Sequence, residues 1–275
     1  MRNPNDILIN LRKHSNESTY QYLRLYRNLF NEQMFYAAYQ RIYAKPGNMT
    51  SSTDGRTIDQ MTLQRIDDII KTLKDESYKP KPVRRVYIPK KNGKLRPLGV
   101  PTFDDKLVQE VIRMILESIY ENYFEESSHG FRPYRSCHTA LKHIFCEFTG
   151  TKWFIEGDIK GFFDNIDHNV LIEILNQRIA DERFLRLIRK FRNAGYLENG
   201  HITIPIQAHR KEVLSVLYLQ TSTSIRLTDT LLNAHKHLTR VSNENMYMII
   251  NSLTEDCHIF AKRYMQRTTR RSEKL

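Results

Sequence analysis

Apolar side chains recur at helical spacing through the start of the chain. Leu23, Tyr26, Leu29 and Phe30, then Met34, Phe35, Ala38, Tyr39 and Ile42, predict helices over residues 5–45. The polar stretch KPGNMTSSTDGRTID follows, and its Pro46-Gly47 and Asp54-Gly55 pairs forbid continuous helix. Ile58, Met61, Leu63, Ile66, Ile69, Ile70 and Leu73 resume the period and predict a helix over 57–75 with these residues on its buried side. The pattern then changes. In VRRVYIPKKNGKLRPLGVP two short β-prone runs flank Asn92-Gly93, the strongest short hairpin signal. Residues 104–124, DDKLVQEVIRMILESIYENYF, read as an amphipathic helix with acids in its first turn, where the helix dipole favours them. The polar loop SSHGFRPYRS leads to a helix at about 137–148. KWFIEGDI is β-prone, and helices follow near 168–179 and 181–193, the second stopped by Gly195. This mixture predicts an α+β fold. Past residue 198 periodicity weakens, and Thr/Ser/Asn-rich stretches alternate with basic clusters such as Arg267-Thr-Thr-Arg270-Arg271.

Charge narrows the partners. The 275 residues carry a net charge of +12 and a sequence pI near 9.5. A balance this basic favours a polyanion, nucleic acid first, over a merely basic surface. Fifteen tyrosines among the Lys and Arg suit RNA through stacking, although many of them belong to core. Cys137, Cys146 and Cys257 form no CxxC pair, which fits a reducing compartment and argues against a zinc site or a disulfide framework. No apolar run reaches membrane length and the start, MRNPNDILINLRKHSN, is polar, so the expectation is a cytoplasmic protein with no membrane contact.

Three places carry candidate chemistry. Lys90 and Arg96 lie six residues apart across the Asn-Gly turn. On opposite strands they can converge on one anion such as a nucleotide triphosphate, Lys as a point charge and Arg as a fork. The alternative is a solvated edge strand guarded by charge. Arg84, Arg85, Lys91 and Lys94 extend the patch and suit a nucleic-acid backbone. The loop His129-Gly-Phe-Arg-Pro-Tyr-Arg-Ser136 joins a free-moving Gly and a stiff Pro to two donors, Arg132 and Arg135, able to meet phosphates or a template strand. Its alternative is an Arg packed on Tyr134 for structure alone. Asp158, at the end of the β-prone run, can ligate a hard divalent cation that keeps positions open for phosphate oxygens. Small Gly157 before it admits a substrate, and an aromatic five residues on, Phe163, can sense the 2′ position of a sugar. Of the competing carboxylates, Asp167 reads as the N-cap of the next helix and Asp164 as structural.

Taken in order, LFNEQMFYAAYQRIYAKPGNMTSSTDGRTID, RRVYIPKKNGKLRPLGVPTFDDKLVQEVIRMILESIYENYFEESSHGFRP and GDIKGFFDNIDH resemble the group II intron-encoded reverse transcriptase/maturase family over roughly residues 20–197. The resemblance implies reverse-transcriptase fingers and an incomplete palm with a helical N-terminal extension. The implied layout is extension 1–56, fingers 57–150, partial palm 151–197 and a tail, 198–275, without a family domain. It further implies that Asp158 is the first of three Mg²⁺-binding aspartates, that Lys90 and Arg96 contact the incoming dNTP, and that Phe163 selects the sugar. The implied partners are group II intron RNA, an RNA template and a DNA primer, and the implied chemistry is two-metal phosphoryl transfer. The family continues with a Gly-Thr-Pro-Gln-Gly-Gly motif and a Tyr-Ala-Asp-Asp motif, and neither is readable here. A choice of allowed codons for Ala208 to Thr230, AHRKEVLSVLYLQTSTSIRLTDT, regrouped one base earlier, can encode GTPQGGVISPILANIYLDKADRY. That points to residues from about 198 being translated out of frame, expected to be disordered or loosely helical; the alternative is a novel C-terminal domain. The expected product is inactive in polymerisation, either an RNA-binding module or a decayed protein.

Overall fold

A computed structural model describes residues 2–45, 47–89, 93, 95–124, 126, 128–130, 132–147, 153–157, 168–203 and 246–250. In chain order the helices are α1 (Pro4–Lys13), α2 (Glu32–Tyr43), α3 (Leu63–Lys74), α4 (Phe103–Tyr120), α5 (Cys137–Glu147), α6 (His168–Asn176) and α7 (Glu182–Asn193). The strands are β1 (Val83–Pro89), β2 (Leu95–Val100), β3 (Trp153–Gly157), β4 (Tyr196–Glu198), β5 (His201–Thr203) and β6 (Met246–Ile250). The chain divides into two compact units: Met1–Asn122 with Gly161–Thr221, and Tyr123–Lys160 with Ser222–Leu275.

The first unit is built on α4. Its Leu107, Val108, Val111, Ile112, Ile115 and Ile119 are buried, and α1 and α2 pack against it. Thr102 caps it, accepting from the Asp105 N–H at 3.2 Å. Asn31 caps α2 in the same way, accepting from Gln33 N at 3.0 Å, and α2 then buries Met34, Phe35, Ala38 and Ile42 as the period predicts.

The helices expected over 5–45 are α1 and α2, and the residues between them, where Leu23 to Phe30 also read as helical, are not α-helix. Residues there spend their backbone groups elsewhere: Tyr22 N donates to Arg178 O (2.8 Å) and Ala180 N donates to Tyr22 O (3.1 Å). This parallel bridge turns Leu23 outward, where it is exposed, while Tyr26 and Leu29 go into the core on a 3-10 turn, Tyr26–Phe30. The helix expected over 57–75 is also divided. A 3-10 turn, Ile58–Gln60, precedes Thr62, whose hydroxyl accepts from Arg65 N and starts α3 afresh. Leu63, the first helical residue, is exposed; Ile58, Ile66, Ile69, Ile70 and Leu73 are buried as expected.

The Asn-Gly hairpin forms where the sequence puts it. β1 and β2 pair antiparallel from Arg84↔Val100 to Pro89↔Leu95. Gly195, at φ +69°, releases the chain from α7 into β4. β4 runs parallel to β1 (Val83↔Tyr196) and turns into β5, giving the sheet order β2-β1-β4-β5.

In the second unit, α5 buries Ala140 and Ile144, and β3 pairs in parallel with β6 from Trp153↔Met246 to Gly157↔Ile250. The described pieces past residue 198, β5 and β6, are thus strand rather than loosely helical. The β6 sequence, MYMII, is aromatic and β-branched and gives β3 a partner for its backbone groups. Cys137 is disulfide-bonded, although the cysteine spacing argues against a disulfide framework.

Candidate functional site

At the base of the hairpin, strand geometry fixes two of the candidate cations. Arg84 Nε donates to the Ser51 carbonyl at 3.0 Å. The Arg85 guanidinium lies over the Tyr196 ring, 4.2 Å from its centroid, and its Nη1 stands 3.5 Å from Glu198 Oε2. Glu198 also accepts from the Tyr87 hydroxyl, a bond that holds that hydroxyl above its ordinary pKa. Both arginines are therefore half-buried struts of the sheet as well as cations. Toward the turn the surface opens, and Tyr87, Ile88 and Leu95 are exposed. The Arg96 backbone pairs with Ile88. Lys90, Lys91 and Lys94, and the Arg96 side chain, lie outside the described residues.

The loop before α5 is held by its own side chains. Arg132 Nη1 donates to Ser128 O (2.9 Å) with its guanidinium 5.2 Å from the Phe124 ring centroid. Arg135 Nη1 donates to Glu126 O (3.0 Å), and its N–H closes a turn on Arg132 O (3.3 Å). The ring against the arginine is Phe124; Tyr134 is fully exposed, at φ +59°. At the start of α5, Ser136 N donates to Thr139 Oγ1 (2.8 Å), and His129 Nδ1 sits 2.9 Å from the same oxygen. His129 is buried, and burial first, then Arg135, His143 and Arg132, push its pKa down to about 4. A neutral imidazole thus anchors a loop whose charged groups are the two arginines.

Asp158 and Phe163 lie outside the described residues, as do Asp164 and Asp167; β3 ends at Gly157, immediately before Asp158. Among the described residues no group of three His, Cys, Asp or Glu side chains could hold a metal ion.

Sequence reasoning missed two polar clusters. In the first, Arg65 is buried with its Nε 2.6 Å from Asp104 Oδ1 and its Nη2 3.8 Å from Asp54 Oδ2. It borders an open cleft of about 510 Å³ with Asp54, Arg56, Gln60 and Asp68. The available signal was an arginine beside Ile66 on the apolar stripe of α3. In the second, Arg178 is buried and donates to the carbonyls of Glu17, Ser15 (2.9 Å) and His14 (3.2 Å). Beside it, Asp181 caps α7 through Phe184 N (3.2 Å) and accepts from Tyr26 N (2.8 Å). Together they clasp the N-terminal segment to the turn between α6 and α7.

A family model described as reverse transcriptase (RNA-dependent DNA polymerase) matches residues 88–211. The group II intron-encoded protein LtrA of Lactococcus lactis subsp. cremoris is 54% identical over 195 residues, 70% of this chain and 33% of that protein. An uncharacterized 91 kDa protein in the cob intron of Schizosaccharomyces pombe is 50% identical over 174 residues, 63% of this chain and 22% of the other. Nuclear intron maturase 1, mitochondrial, of Arabidopsis thaliana is 41% identical over 88 residues, 32% of this chain and 12% of that protein. The chain thus spans about a third of LtrA's length. The match to the family model runs to residue 211.

Proposed function

We propose, for a chain that belongs to the group II intron-encoded reverse transcriptase/maturase family, that its basic fingers bind intron RNA and template while polymerisation lies beyond it. The observation that carries this reading is the 54% identity to LtrA over 195 residues. The layout of extension (1–56), fingers (57–150), partial palm (151–197) and tail (198–275) is part of the reading, as is a cytoplasmic setting. Among the described residues no helix is long and apolar enough to cross a membrane.

In this reading Lys90 and Arg96 meet the triphosphate of the dNTP and Phe163 screens its sugar. Arg84, Arg85, Lys91, Lys94, Arg132 and Arg135 supply positive potential along the RNA template and DNA primer. Reverse transcriptases generally use a divalent metal. The donor chemistry of Asp158, a carboxylate entered directly from a strand, fits Mg²⁺, which when bound would activate the primer 3′-hydroxyl and steady the leaving pyrophosphate. A single carboxylate cannot hold two cations against a triphosphate, so Asp158 awaits two partners that the tail does not spell. We place the break in frame at about residue 198, ahead of the regrouped reading that begins at Ala208.

Filter binding of the full chain to structured RNA tests the RNA reading. The logarithm of affinity should fall steeply with the logarithm of salt, because each neutralised phosphate releases counterions. A flat slope, or no binding at low salt, would reject it.

A further inference from the structure

We propose that Tyr134 is a stacking platform for an unpaired base of single-stranded nucleic acid. The proposal rests on the nucleic-acid reading above and adds a residue and a strand state to it.

Three observations converge on this side chain. First, Tyr134 is 101% exposed, so its ring gains nothing from the protein's interior. Tyrosine, with an apolar ring and a polar tip, is enriched at contact surfaces. Second, its backbone sits at φ +59°, the left-handed region that a bulky residue adopts only against strain. Glycine or asparagine would occupy that position at lower cost, so tyrosine is here in spite of the backbone. Third, described residues on either side are bonded within the loop. Arg132 is bonded to Ser128 O and laid over Phe124, Arg135 is bonded to Glu126 O, and Ser136 with Thr139 starts α5. The ring is thus presented from a turn whose flanking arginines are bonded to their own backbone.

The surroundings select the partner. Arg132, Arg135 and the exposed Lys142 bring positive charge to this loop and the start of α5, against the exposed carboxylates of Glu126 and Glu147. An exposed ring among cations suits a strand that offers both phosphates and open base faces. A duplex keeps its bases stacked on each other and has no face to give. The ring's face carries no hydrogen-bond pattern, so the contact should tolerate any base.

The test uses the full chain with a single-stranded RNA oligonucleotide carrying one 2-aminopurine, and the same oligonucleotide as a duplex. Tyr134→Ala and Tyr134→Gly should weaken single-strand binding about tenfold and abolish the 2-aminopurine quench. Tyr134→Phe, which keeps the ring, should retain both. Duplex affinity and the salt slope should not change in any variant, because no charge is altered. Tyr134→Gly should also melt at a higher temperature than the parent, since it relieves the left-handed backbone. Parent-like binding and quenching by Tyr134→Ala would overturn the proposal while leaving salt-dependent RNA binding intact. A parent chain that binds neither RNA would overturn this proposal and the nucleic-acid reading together.

Discussion

His129 shows what an environment does to one side chain. Its folded pKa of about 4 lies below the ordinary 6.5, with burial as the main cause. Between those values the unfolded chain protonates this imidazole and the folded chain does not, so unfolding takes up a proton. The stabilising contribution is therefore complete above pH 6.5 and is lost as pH falls toward about 4. Urea midpoints of the parent should fall across that window, and those of His129→Gln should fall less; identical profiles would count against the assignment. Asp105 acts through geometry instead. It is 2% exposed and accepts from the Tyr78 hydroxyl (2.8 Å), Lys81 N (3.0 Å) and the Thr102 hydroxyl (2.8 Å). Asp105→Ala takes this acceptor from three donors and should cost ~3 kcal/mol in a urea melt with unchanged slope. The sequence shows Asp105 only as an acid suited to a first helical turn. Its buried role depends on Tyr78 and Lys81, which folding brings in from outside the helix.

Elements were legible where their signal is local. Asn92-Gly93 placed the hairpin, and the apolar period placed α4 and α7, because turn chemistry and amphipathicity are written in adjacent residues. Helix boundaries near Tyr22 and Thr62 were not, since a long-range bridge and a side-chain cap decide them. The strand β6 escaped for the same reason: its partner β3 is remote in sequence. Two substitutions test the elements. Asp181→Ala should cost ~2 kcal/mol, because it removes the α7 cap and the acceptor for Tyr26 N together. Asp181→Ser, which can cap but reaches less far, should fall between parent and Ala in thermal melts. In the hairpin, a Cβ on Gly99 would stand 2.9 Å from Val83 Cγ2, so Gly99→Val should destabilise the β1–β2 pairing, visible as faster amide exchange there.

Across the whole chain, the sequence motifs carried the resemblance that the family model repeats over residues 88–211, and geometry placed only part of the candidate site. Arg84, Arg85, Arg132 and Arg135 are located and bonded to their own chain, whereas Asp158, Lys90, Lys91, Lys94 and Phe163 fall outside the described residues. Periodicity and turn signals cannot say which arginine will brace a strand and which will face a phosphate, because that depends on Tyr196, Glu198 and Ser51 arriving beside it. At this scale the expectation is functional. On the proposed reading, in which no Tyr-Ala-Asp-Asp motif supplies two further carboxylates beside Asp158, the chain as written should show no template-directed dNTP incorporation. Incorporation that disappears in Asp158→Ala would sink that expectation, and would make the tail a working part of the palm.

The clasp at Arg178 and Asp181 also sets a schedule. Tyr26 and Asp181 are 155 residues apart, so the N-terminal segment leaves the ribosome long before its partner exists. At usual elongation rates that interval is ~10–30 s. During it, the apolar faces of Tyr22, Tyr26 and Leu29 have only early neighbours, and a chaperone or a protease can reach them first. Slow synthesis upstream of residue 178 should therefore lower the yield of folded protein more than slow synthesis after it.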